Sequence, residues 1–427
     1  MLEYIVSIEI NKKPHEVGTI SGNTFDDARF AYADSYLKMQ GCEPVSLSLP
    51  LRREPFTPAK TRCFFEGLLP EGFTRRTIAS RMHFDENDYL SILHGLGREC
   101  IGAIRVYTLQ EKPESGYEKI NDIQIRELAS EGASASADMI VKTHLSLAGA
   151  SGKVGLYFDE KNGEWYLPHG LAPSTHIVKQ SHVRLDSIVI NEQLCLMTAS
   201  KCGIETPDSF IIATSSNEDE NILLAVKRYD RIAIGQSETL DGLPVPVRLH
   251  QEDFAQAMGI NAVNKYETDG RRGYARKMFD ILRKHSASPI DDQIKLLDRM
   301  IFNCILGNTD SHIKNYSLLY NEKLSTMRLA PAYDMICTLV YESSTHDLSI
   351  SIGNATTIDE ITRDSFKMLA EDIGITEKVV FERYDTICDR FESALFESAE
   401  ELSDMGFAKA KIIAERIHKS VKKNRPF

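Results

Sequence analysis

A chain of 427 residues, 42% hydrophobic and 26% charged, is long enough for two or three domains with their own cores and is not expected to be disordered. Its formal charge of −12 argues against a free-standing, generally basic nucleic-acid binder, because such a protein neutralises phosphates with surplus lysine and arginine. No stretch approaches about 18 apolar residues, and the opening "MLEYIVSIEINKKP" is charged where a signal peptide would be apolar. We therefore expect a cytoplasmic protein without a membrane partner.

The first hundred residues mix strand and helix signals. "EYIVSIEI" and "HEVGTI" flank a Lys-Lys-Pro turn and predict two strands, and apolar residues between positions 89 and 93 predict a helix ending near Gly95 or Gly97. The following stretch, 110–137, is poor in large apolar residues and rich in Glu, Ser and Ala. These patterns predict a small α+β amino-terminal subdomain at 1–109 and a connecting segment at 110–137.

Short strand-like runs dominate the next part of the chain. "GKVGLYFD" and "EWYLP" flank a turn at Asn162-Gly163, which is a strong hairpin signal, and "THIVK" predicts a further strand carrying Lys179. A periodic apolar stretch predicts a helix from about Ser187 that ends at Gly203. With "FIIAT" and "ILLAVKRYD", residues 138–230 are predicted to form a small, mostly β lobe.

The remainder, 231–427, is predicted to be a mainly helical lobe. One helix should have Ser288 as N-cap, Pro289 at its first position and Gly307 as its end. The polar stretch "GNTDSHIKNYSLLY" follows at once, and a hairpin built from "YSLLY" and "MRLAPAYDMI" should bring Asp334 close to Asn315.

The polar stretch contains Asp310 and Asn315 in the pattern D-x-x-x-x-N. In phosphoryl transfer this spacing lets the aspartate orient an attacking hydroxyl while the asparagine oxygen reaches a magnesium ion, for which Asp334 would be the carboxylate ligand. Lys179 is a candidate cation for the phosphates, and the loop "AGASGKVG" (148–155) offers backbone N–H groups to them. Residues 227–231 stand where the hinge between two lobes would meet an adenine ring.

The ordered segments "SLAGASGK", "THIVK", "LAVKRYDR", "RLHQEDFAQAMGI", "KYETDG", "GNTDSHIKNYSLLY" and "LAPAYDM" together resemble the HipA family of serine/threonine kinases, the toxin halves of bacterial toxin–antitoxin pairs. "VGTI", "SLSLPL", "FFEGLLPE" and "GRECIGA" are similar to the amino-terminal subdomain of that family. The resemblance covers nearly the whole chain. It implies an α+β, two-lobed protein-kinase-like fold with a small β-rich lobe, a mainly helical lobe and an amino-terminal α+β subdomain.

The resemblance also implies roles for single residues. Asp310 would be the catalytic base, Asn315 and Asp334 the ligands of Mg²⁺, and Lys314 the cation facing the transferred phosphoryl group. Lys227 to Tyr229 would be the hinge and 148–153 a mobile phosphate loop. The implied ATP-binding residues are Ala148, Gly149, Ala150, Ser151, Gly152, Lys153, Lys179, Lys227, Arg228, Tyr229, His312, Ile313, Lys314 and Asn315.

Autophosphorylation in the family falls on a serine just before the phosphate loop, which is Ser146 in this chain, and the added charge would hold the loop away from the nucleotide. The family's loop has Gln and Glu before its lysine, whereas this chain has Ser151 and Gly152, so Ser151 is a rival site. We expect His312 to organise the loop through a hydrogen bond rather than act as a base. Glu192 either pairs with Lys179 or faces solvent.

The resemblance implies an ATP- and Mg²⁺-dependent serine/threonine kinase that arrests growth. Its partners would be a HipB-like helix-turn-helix antitoxin, DNA through the antitoxin complex, a protein substrate such as an aminoacyl-tRNA synthetase or another translation component, and a second copy of the chain within the complex. The alternative is a nucleotide-binding regulatory subunit, a co-repressor with little kinase activity. A lipid or small-molecule kinase is a third hypothesis, against which the lack of a basic amphipathic helix counts.

Overall fold

The computed structural model describes residues 2–108, 114–131, 133–143, 147, 152–181, 185–233 and 238–424. No helix within these ranges is both long enough and apolar enough to cross a bilayer.

The amino-terminal subdomain is a four-stranded antiparallel sheet with short helices. The predicted strand pair is its central hairpin, and the predicted helix ends at the C-cap residue Gly97, as expected. The sheet order is β3-β2-β1-β4. The elements are β1 (Leu2–Ile10), β2 (Lys13–Gly22), β3 (Arg29–Tyr32), α1 (Asp34–Leu37), α2 (Pro58–Phe65), α3 (Gly72–Arg81), α4 (Tyr89–Leu96) and β4 (Ile104–Tyr107).

The small lobe is a six-stranded antiparallel sheet in the order β5-β7-β6-β8-β10-β9. The predicted turn at Asn162-Gly163 is present, and Gly163 has the positive φ of +69° that such a turn needs. The predicted helix is present as well and is followed by Gly203. The elements are β5 (Gly116–Lys119), α5 (Asp122–Ser130), α6 (Ala133–Thr143), β6 (Lys153–Asp159), β7 (Glu164–His169), β8 (His176–Gln180), α7 (Ile188–Lys201), β9 (Ser209–Ala213) and β10 (Ile222–Lys227).

The segment predicted to be a connector, 110–137, contains regular structure where it is described. Its strand β5 pairs with β7 at one edge of the six-stranded sheet, and α5 begins with a capping box between Asn121 and Gln124. The prediction missed this helix because α5 buries only a narrow apolar stripe, Ile125, Leu128 and Ala129. Residues 116–130 therefore pack with the small lobe, and the exact domain boundaries stay a prediction.

The large lobe is mainly helical. Helix α10 begins at Pro289 and ends at Gly307, whose φ of +80° closes the helix in the left-handed conformation, as predicted; Ser288 stands at the N-cap but its side chain makes no capping bond. The predicted hairpin after the polar stretch is β16–β17. The elements are β11 (Arg231–Ile232), β12 (Thr239–Leu240), β13 (Leu243–Pro244), β14 (Val247–Arg248), β15 (Gln251–Asp253), α8 (Phe254–Met258), α9 (Tyr274–His285), α10 (Pro289–Leu306), β16 (Ser317–Tyr320), β17 (Met327–Leu329), β18 (Asp347–Ile352), β19 (Ala355–Thr357), α11 (Arg363–Ile373), α12 (Glu377–Asp404) and α13 (Lys409–Asn424).

A buried ionic cluster joins the amino-terminal subdomain to the rest of the chain. Glu99 lies at its centre, with Oε1 2.9 Å from Arg231 Nη2 and 3.1 Å from Arg228 Nη1, and Oε2 2.7 Å from Arg248 Nη2. Burial alone would raise the pKa of the Glu99 carboxyl, but the three guanidinium charges lower it to about 2. The cluster contains three carboxylates and four arginines: Glu9, Glu99, Asp230, Arg105, Arg228, Arg231 and Arg248.

A second contact between the amino-terminal subdomain and the large lobe centres on a carboxyl without a cation. Glu252 on β15 accepts hydrogen bonds from the Ser46 hydroxyl (2.5 Å), the Leu47 N–H (3.1 Å) and the Tyr320 hydroxyl (2.6 Å). Burial raises the pKa of Glu252 to about 7, although these hydrogen bonds oppose the shift. In the folded chain this carboxyl is therefore mostly protonated only below about pH 7.

We expect the free energy of unfolding to fall less steeply between pH 5 and pH 8 in Glu252→Gln than in wild type. Because the folded pKa lies above the unfolded value, the contribution of Glu252 is fully present below the unfolded pKa and is lost as pH rises through 7. A shift of this size corresponds to about 2 to 3 kcal/mol over that interval. Denaturant titrations at several pH values measure the difference. The partly exposed Glu164→Gln should keep the wild-type slope, and equal slopes for wild type and Glu252→Gln would contradict the prediction.

Candidate active site

A cavity of about 390 Å³ lies between the six-stranded sheet and the helical lobe, and Gly67, Leu68 and Glu71 of the amino-terminal subdomain form part of its wall. The cavity is lined by charged side chains from all three parts of the chain. They include Glu71, Lys153, Lys179, Glu192, Asp253, Lys265, Asp310, Lys314 and Asp334.

Lys179 on β8 is held by two carboxylates. Its Nζ lies 2.6 Å from Glu192 Oε1 on α7 and also donates to Asp334 Oδ1. Burial alone would lower the pKa of Lys179, but the charges of Asp334 and Glu192 raise it above its ordinary value. Of the two interpretations left open for Glu192, the structure therefore supports the ion pair, and Lys179 stays charged.

Asp334 follows the β16–β17 hairpin and lines the same cavity as Asn315, and their joint role as metal ligands stays a prediction. Its φ of +55° is unusual for a residue other than glycine, and such backbone conformations are concentrated at functional sites. Burial would raise the pKa of the Asp334 carboxyl, but Lys179 and Lys153 hold it well below its ordinary range. This carboxylate is ionised and faces two lysines.

Residues 310–315 form a loop fixed by its own backbone. The His312 N–H donates to Asp310 O (2.8 Å), and the Asn315 N–H donates to His312 O (2.8 Å). Asn315 Nδ2 also donates to Asp310 O (2.9 Å). The amide oxygen of Asn315 can therefore accept a hydrogen bond from another group or bind a metal ion. The Asp310 carboxyl has a raised pKa, chiefly because surrounding protein groups desolvate it, although hydrogen bonding from Tyr266 opposes the shift.

Asn315 and Asp334 fit the requirements of a nucleotide-dependent magnesium site. They offer one amide oxygen and one carboxylate, and Mg²⁺ at phosphate sites is bound by one or two such protein ligands together with phosphates and waters. Over the described ranges, no three or more His, Cys, Asp or Glu side chains cluster as a metal site made of protein alone. The two oxygen ligands from Asn315 and Asp334 thus suit a Mg²⁺ ion that is also bound by the phosphates of a nucleotide.

His312 differs from expectation. Its Nδ1 is buried without a hydrogen-bond partner, and the ring packs edge-on against Tyr266 with centroids 5.2 Å apart. Burial lowers the pKa of His312 to about 3, so the imidazole is neutral at physiological pH. The expected loop-organising hydrogen bonds are made by the backbone N–H and C=O of His312, whereas Nδ1 makes none to the described residues.

Two further residues of this loop were predicted to face a nucleotide. Lys314 lines the cavity, but its Nζ is bound by Asp253 Oδ2 (2.8 Å) and Gly67 O (3.3 Å) and lies 3.5 Å from Glu71 Oε1. A buried ammonium needs such partners, so Lys314 is already neutralised by the protein. Ile313 is fully buried in the main hydrophobic core and is not among the residues that line the cavity.

The predicted hinge, Lys227 to Tyr229, lines the cavity, but most of its polar groups have other partners. The N–H groups of Lys227 and Arg228 donate to Asp208 O (2.8 Å) and Thr175 O (2.9 Å). The Arg228 guanidinium belongs to the buried ionic cluster, and the Tyr229 hydroxyl donates to Gln251. These two N–H groups are thus bonded within the protein, and the hinge role of Lys227 to Tyr229 stays a prediction.

The predicted phosphate loop is described only at its end. Ala148, Gly149, Ala150 and Ser151 lie outside the described residues, as does Ser146, and Gly152 immediately precedes β6. Lys153, which belongs both to the predicted phosphate loop and to the predicted strand "GKVGLYFD", is the first residue of β6 and pairs directly with Lys179 across the sheet. Residues paired in this way present their side chains on the same face. Two lysines therefore face Asp334 instead of one.

Sequence reasoning missed Glu71, Asp253 and Lys265, which line the cavity. Glu71 pairs with Lys265 and Lys314, and Asp253 pairs with Lys314. Their segments, "FFEGLLPE", "RLHQEDFAQAMGI" and "KYETDG", contributed to the family resemblance, but no residue in them was given a role. The sequence signal that could have pointed to these three residues is that each is a charged residue next to an apolar, helix-forming stretch.

The lobes, the cleft and its charged residues define an α+β protein with a kinase-like fold. Residues 145–395 match the family model of the HipA-like C-terminal domain, and residues 8–107 match that of the HipA N-terminal domain. The chain therefore belongs to the HipA family, as the sequence predicted.

Relatives match over nearly the whole length. The Sinorhizobium fredii protein Y4mE, named provisionally as a kinase, is 32% identical over 406 residues, which cover 93% of this chain and 92% of that protein. The "Serine/threonine-protein kinase toxin HipA" of Shewanella oneidensis is 24% identical over 405 residues, covering 92% and 89% of the two chains. In the solved complex of Shewanella oneidensis HipA with HipB and operator DNA, a chain matches with a TM-score of 0.79, 21% identity and coverage of 99% and 98%. This match confirms the predicted fold class.

Proposed function

We propose that the chain is an ATP- and Mg²⁺-dependent protein kinase that transfers the γ-phosphoryl group to serine or threonine. One observation carries the proposal: the Lys179–Glu192 ion pair, Asp334, Asp310 and Asn315 all line a single cavity between two lobes. These are the groups that phosphoryl transfer requires for holding phosphates, binding a metal ion and orienting a hydroxyl.

Each residue has a chemical role in this proposal. Lys179 and Lys153 neutralise the phosphate oxygens, and Asn315 and Asp334 would hold the metal ion. When bound, Mg²⁺ supplies positive charge to the β- and γ-phosphates. Asp310 orients the acceptor hydroxyl and takes its proton while the new O–P bond forms, the bond from the γ-phosphorus to the bridging oxygen breaks, and ADP leaves.

Purified chain incubated with γ-labelled ATP and Mg²⁺ tests the proposal. We expect label on serine or threonine, either on the chain itself or on an added bacterial protein extract, and loss of the label when EDTA removes the metal ion. Excess Mg²⁺ added back should restore it, which separates metal removal from damage to the protein. Absence of labelled protein under all these conditions would refute the proposal.

We also propose that Ser146 is the autophosphorylated residue, with Ser151 as the rival. Family membership supports this, and the charge of a phosphate just before the phosphate loop would hold the loop away from the nucleotide. Phosphopeptide mapping after autophosphorylation, with Ser146→Ala and Ser151→Ala as the two arms, assigns the site. Label retained in the double variant Ser146→Ala/Ser151→Ala would exclude both serines.

For partners, we propose a HipB-like helix-turn-helix antitoxin that carries the DNA contacts, and a protein substrate among the translation components. The net charge of −12 supports a separate DNA-binding subunit, because this chain has no surplus of positive charge to offer phosphates. The matching chain comes from a complex of HipA with HipB and operator DNA. Co-expression with a helix-turn-helix protein encoded next to this chain, followed by co-purification, tests the antitoxin. Phosphoproteomics after brief expression tests the substrate.

A further inference from the structure

One contact to the proposed catalytic base comes from outside its own loop. The Tyr266 hydroxyl donates a hydrogen bond of 2.8 Å to Asp310 Oδ1, and both residues line the cavity. Tyr266 belongs to the segment between residues 264 and 274 that leads into α9. The bond spans 44 positions of sequence, so the D-x-x-x-x-N pattern gives no sign of it.

The backbone on both sides of Tyr266 is held in place. On one side, Lys265 Nζ lies 2.8 Å from Glu71 Oε2 in the amino-terminal subdomain. On the other, the Glu267 N–H donates to Ser349 O (2.9 Å), and the Glu267 carboxylate accepts from the N–H groups of Tyr274 (2.6 Å) and Ser351 (2.8 Å). The phenol is therefore presented from a fixed segment.

The ring of Tyr266 is restrained as well as its backbone. It packs edge-on against His312, with ring centroids 5.2 Å apart and planes at 76°. Lys265 Nζ lies 5.3 Å from the ring centroid, within reach of a cation–π interaction. With position and tilt of the ring both constrained, the hydroxyl has little freedom to leave Asp310.

We propose that Tyr266 is a positioning residue for phosphoryl transfer: its hydroxyl binds one oxygen of the Asp310 carboxylate and thereby turns the other oxygen toward the acceptor hydroxyl. This inference rests on the proposed kinase function and adds to it a residue from a separate loop. A carboxylate has two oxygens and a freely rotating Cβ–Cγ bond, so fixing one oxygen fixes the direction of the other. Orientation of this kind changes the rate of the chemical step more than the binding of nucleotide.

A role for Tyr266 as the phosphate acceptor agrees less well with these contacts. An acceptor hydroxyl would also bind Asp310, but transfer to Tyr266 would require its oxygen to reach the γ-phosphorus, whereas Glu71 and Glu267 hold the segment from both sides. A phosphate attached to this oxygen would also meet the Asp310 carboxylate, with repulsion between like charges.

The test compares Tyr266→Phe with Tyr274→Phe in the full chain, using label transfer and nucleotide binding. Tyr274 is a matched control because its hydroxyl donates to Asn264 O (2.7 Å) at the base of the same segment and makes no contact with Asp310. We expect Tyr266→Phe to lower kcat about 10- to 100-fold while the KM for ATP stays within about threefold. Tyr274→Phe should keep kcat within about threefold of wild type, and 4-aminophenylalanine at position 266, which retains a donor, should recover most of the lost rate.

Several outcomes would overturn the inference. They are an unchanged kcat in Tyr266→Phe, a loss confined to KM, no recovery with 4-aminophenylalanine, or label found on Tyr266 itself. The same kcat loss in Tyr274→Phe would assign the effect to loop folding instead. If wild type transfers no phosphate, the proposed kinase function fails and this inference fails with it, whereas an active wild type beside an equally active Tyr266→Phe refutes the inference alone.

Discussion

Asp334→Asn is expected to lower the rate of phosphoryl transfer by about 10³-fold. The side chain keeps its shape but loses the charge that faces Lys179 and Lys153 and that would bind the metal ion. Glu192 still pairs with Lys179, at 2.6 Å, so the lysine should stay in place while the metal ion is bound weakly. Label transfer at saturating Mg²⁺ measures the loss, and raising the Mg²⁺ concentration should recover part of it.

The control for this variant is Asp359→Asn, which removes an exposed carboxylate of the same lobe that pairs with His346 at 2.5 Å. Its activity should equal that of wild type.

The growth phenotype separates the kinase from the co-repressor alternative. Expression of Asp334→Asn could arrest growth as strongly as wild type although the variant no longer transfers phosphate in vitro. The arrest would then not depend on phosphoryl transfer, and this result would support the co-repressor hypothesis.

Glu99→Gln is expected to destabilise the chain by about 3 to 5 kcal/mol, and a chain that fails to accumulate as folded protein would agree with the upper end of this range. The amide cannot neutralise Arg228, Arg231 and Arg248, which lie within 3.1 Å of the Glu99 carboxylate and are almost fully buried. Removing one partner from a buried ion cluster is costly because the remaining charges stay desolvated. Denaturant or thermal unfolding measures the change.

The pH dependence gives a second measurement of the same effect. The folded pKa of Glu99, about 2, lies below its unfolded value, so its contribution is present above the unfolded pKa and is lost as pH falls toward 2. The free energy of unfolding of Glu99→Gln should therefore lack the decrease toward acid pH that Glu99 causes in wild type. The surface variant Glu118→Gln removes a carboxylate that pairs with Lys142 at 2.9 Å, and it should cost less than about 1 kcal/mol. Equal losses of stability in Glu99→Gln and Glu118→Gln would contradict the claim that burial makes the Glu99 ion pairs important.

Features encoded within short stretches of sequence were predictable. The helix that ends at Gly307, the turn at Gly163 and the β16–β17 hairpin each depend on local signals, namely a residue able to adopt positive φ or an alternating apolar pattern. The approach of Asp334 to the cavity followed from the hairpin. The pairing of Lys179 with Glu192, 13 positions apart, could be anticipated as one of two alternatives because a strand and the following helix are neighbours in space.

Features that depend on distant partners were not predictable in the same way. Arg228 was expected at the hinge, but its guanidinium binds Glu99, 129 positions earlier. Lys314 was expected to face a phosphoryl group, but Asp253, 61 positions earlier, already neutralises it. In both residues the long side chain turns toward a buried anion, because an unpaired buried cation is costly, and no local pattern indicates which anion that is.

The buried ionic cluster also bears on how this chain can be divided or exchanged during evolution. A catalytic part beginning near residue 145 would keep Arg228, Arg231 and Arg248 but lose Glu9 and Glu99, and Asp230 alone would remain beside three guanidinium groups. An amino-terminal subdomain acquired by recombination would have to bring a carboxylate to the position of Glu99. The two parts are therefore expected to be inherited together, as halves of one electrostatic unit rather than as interchangeable modules.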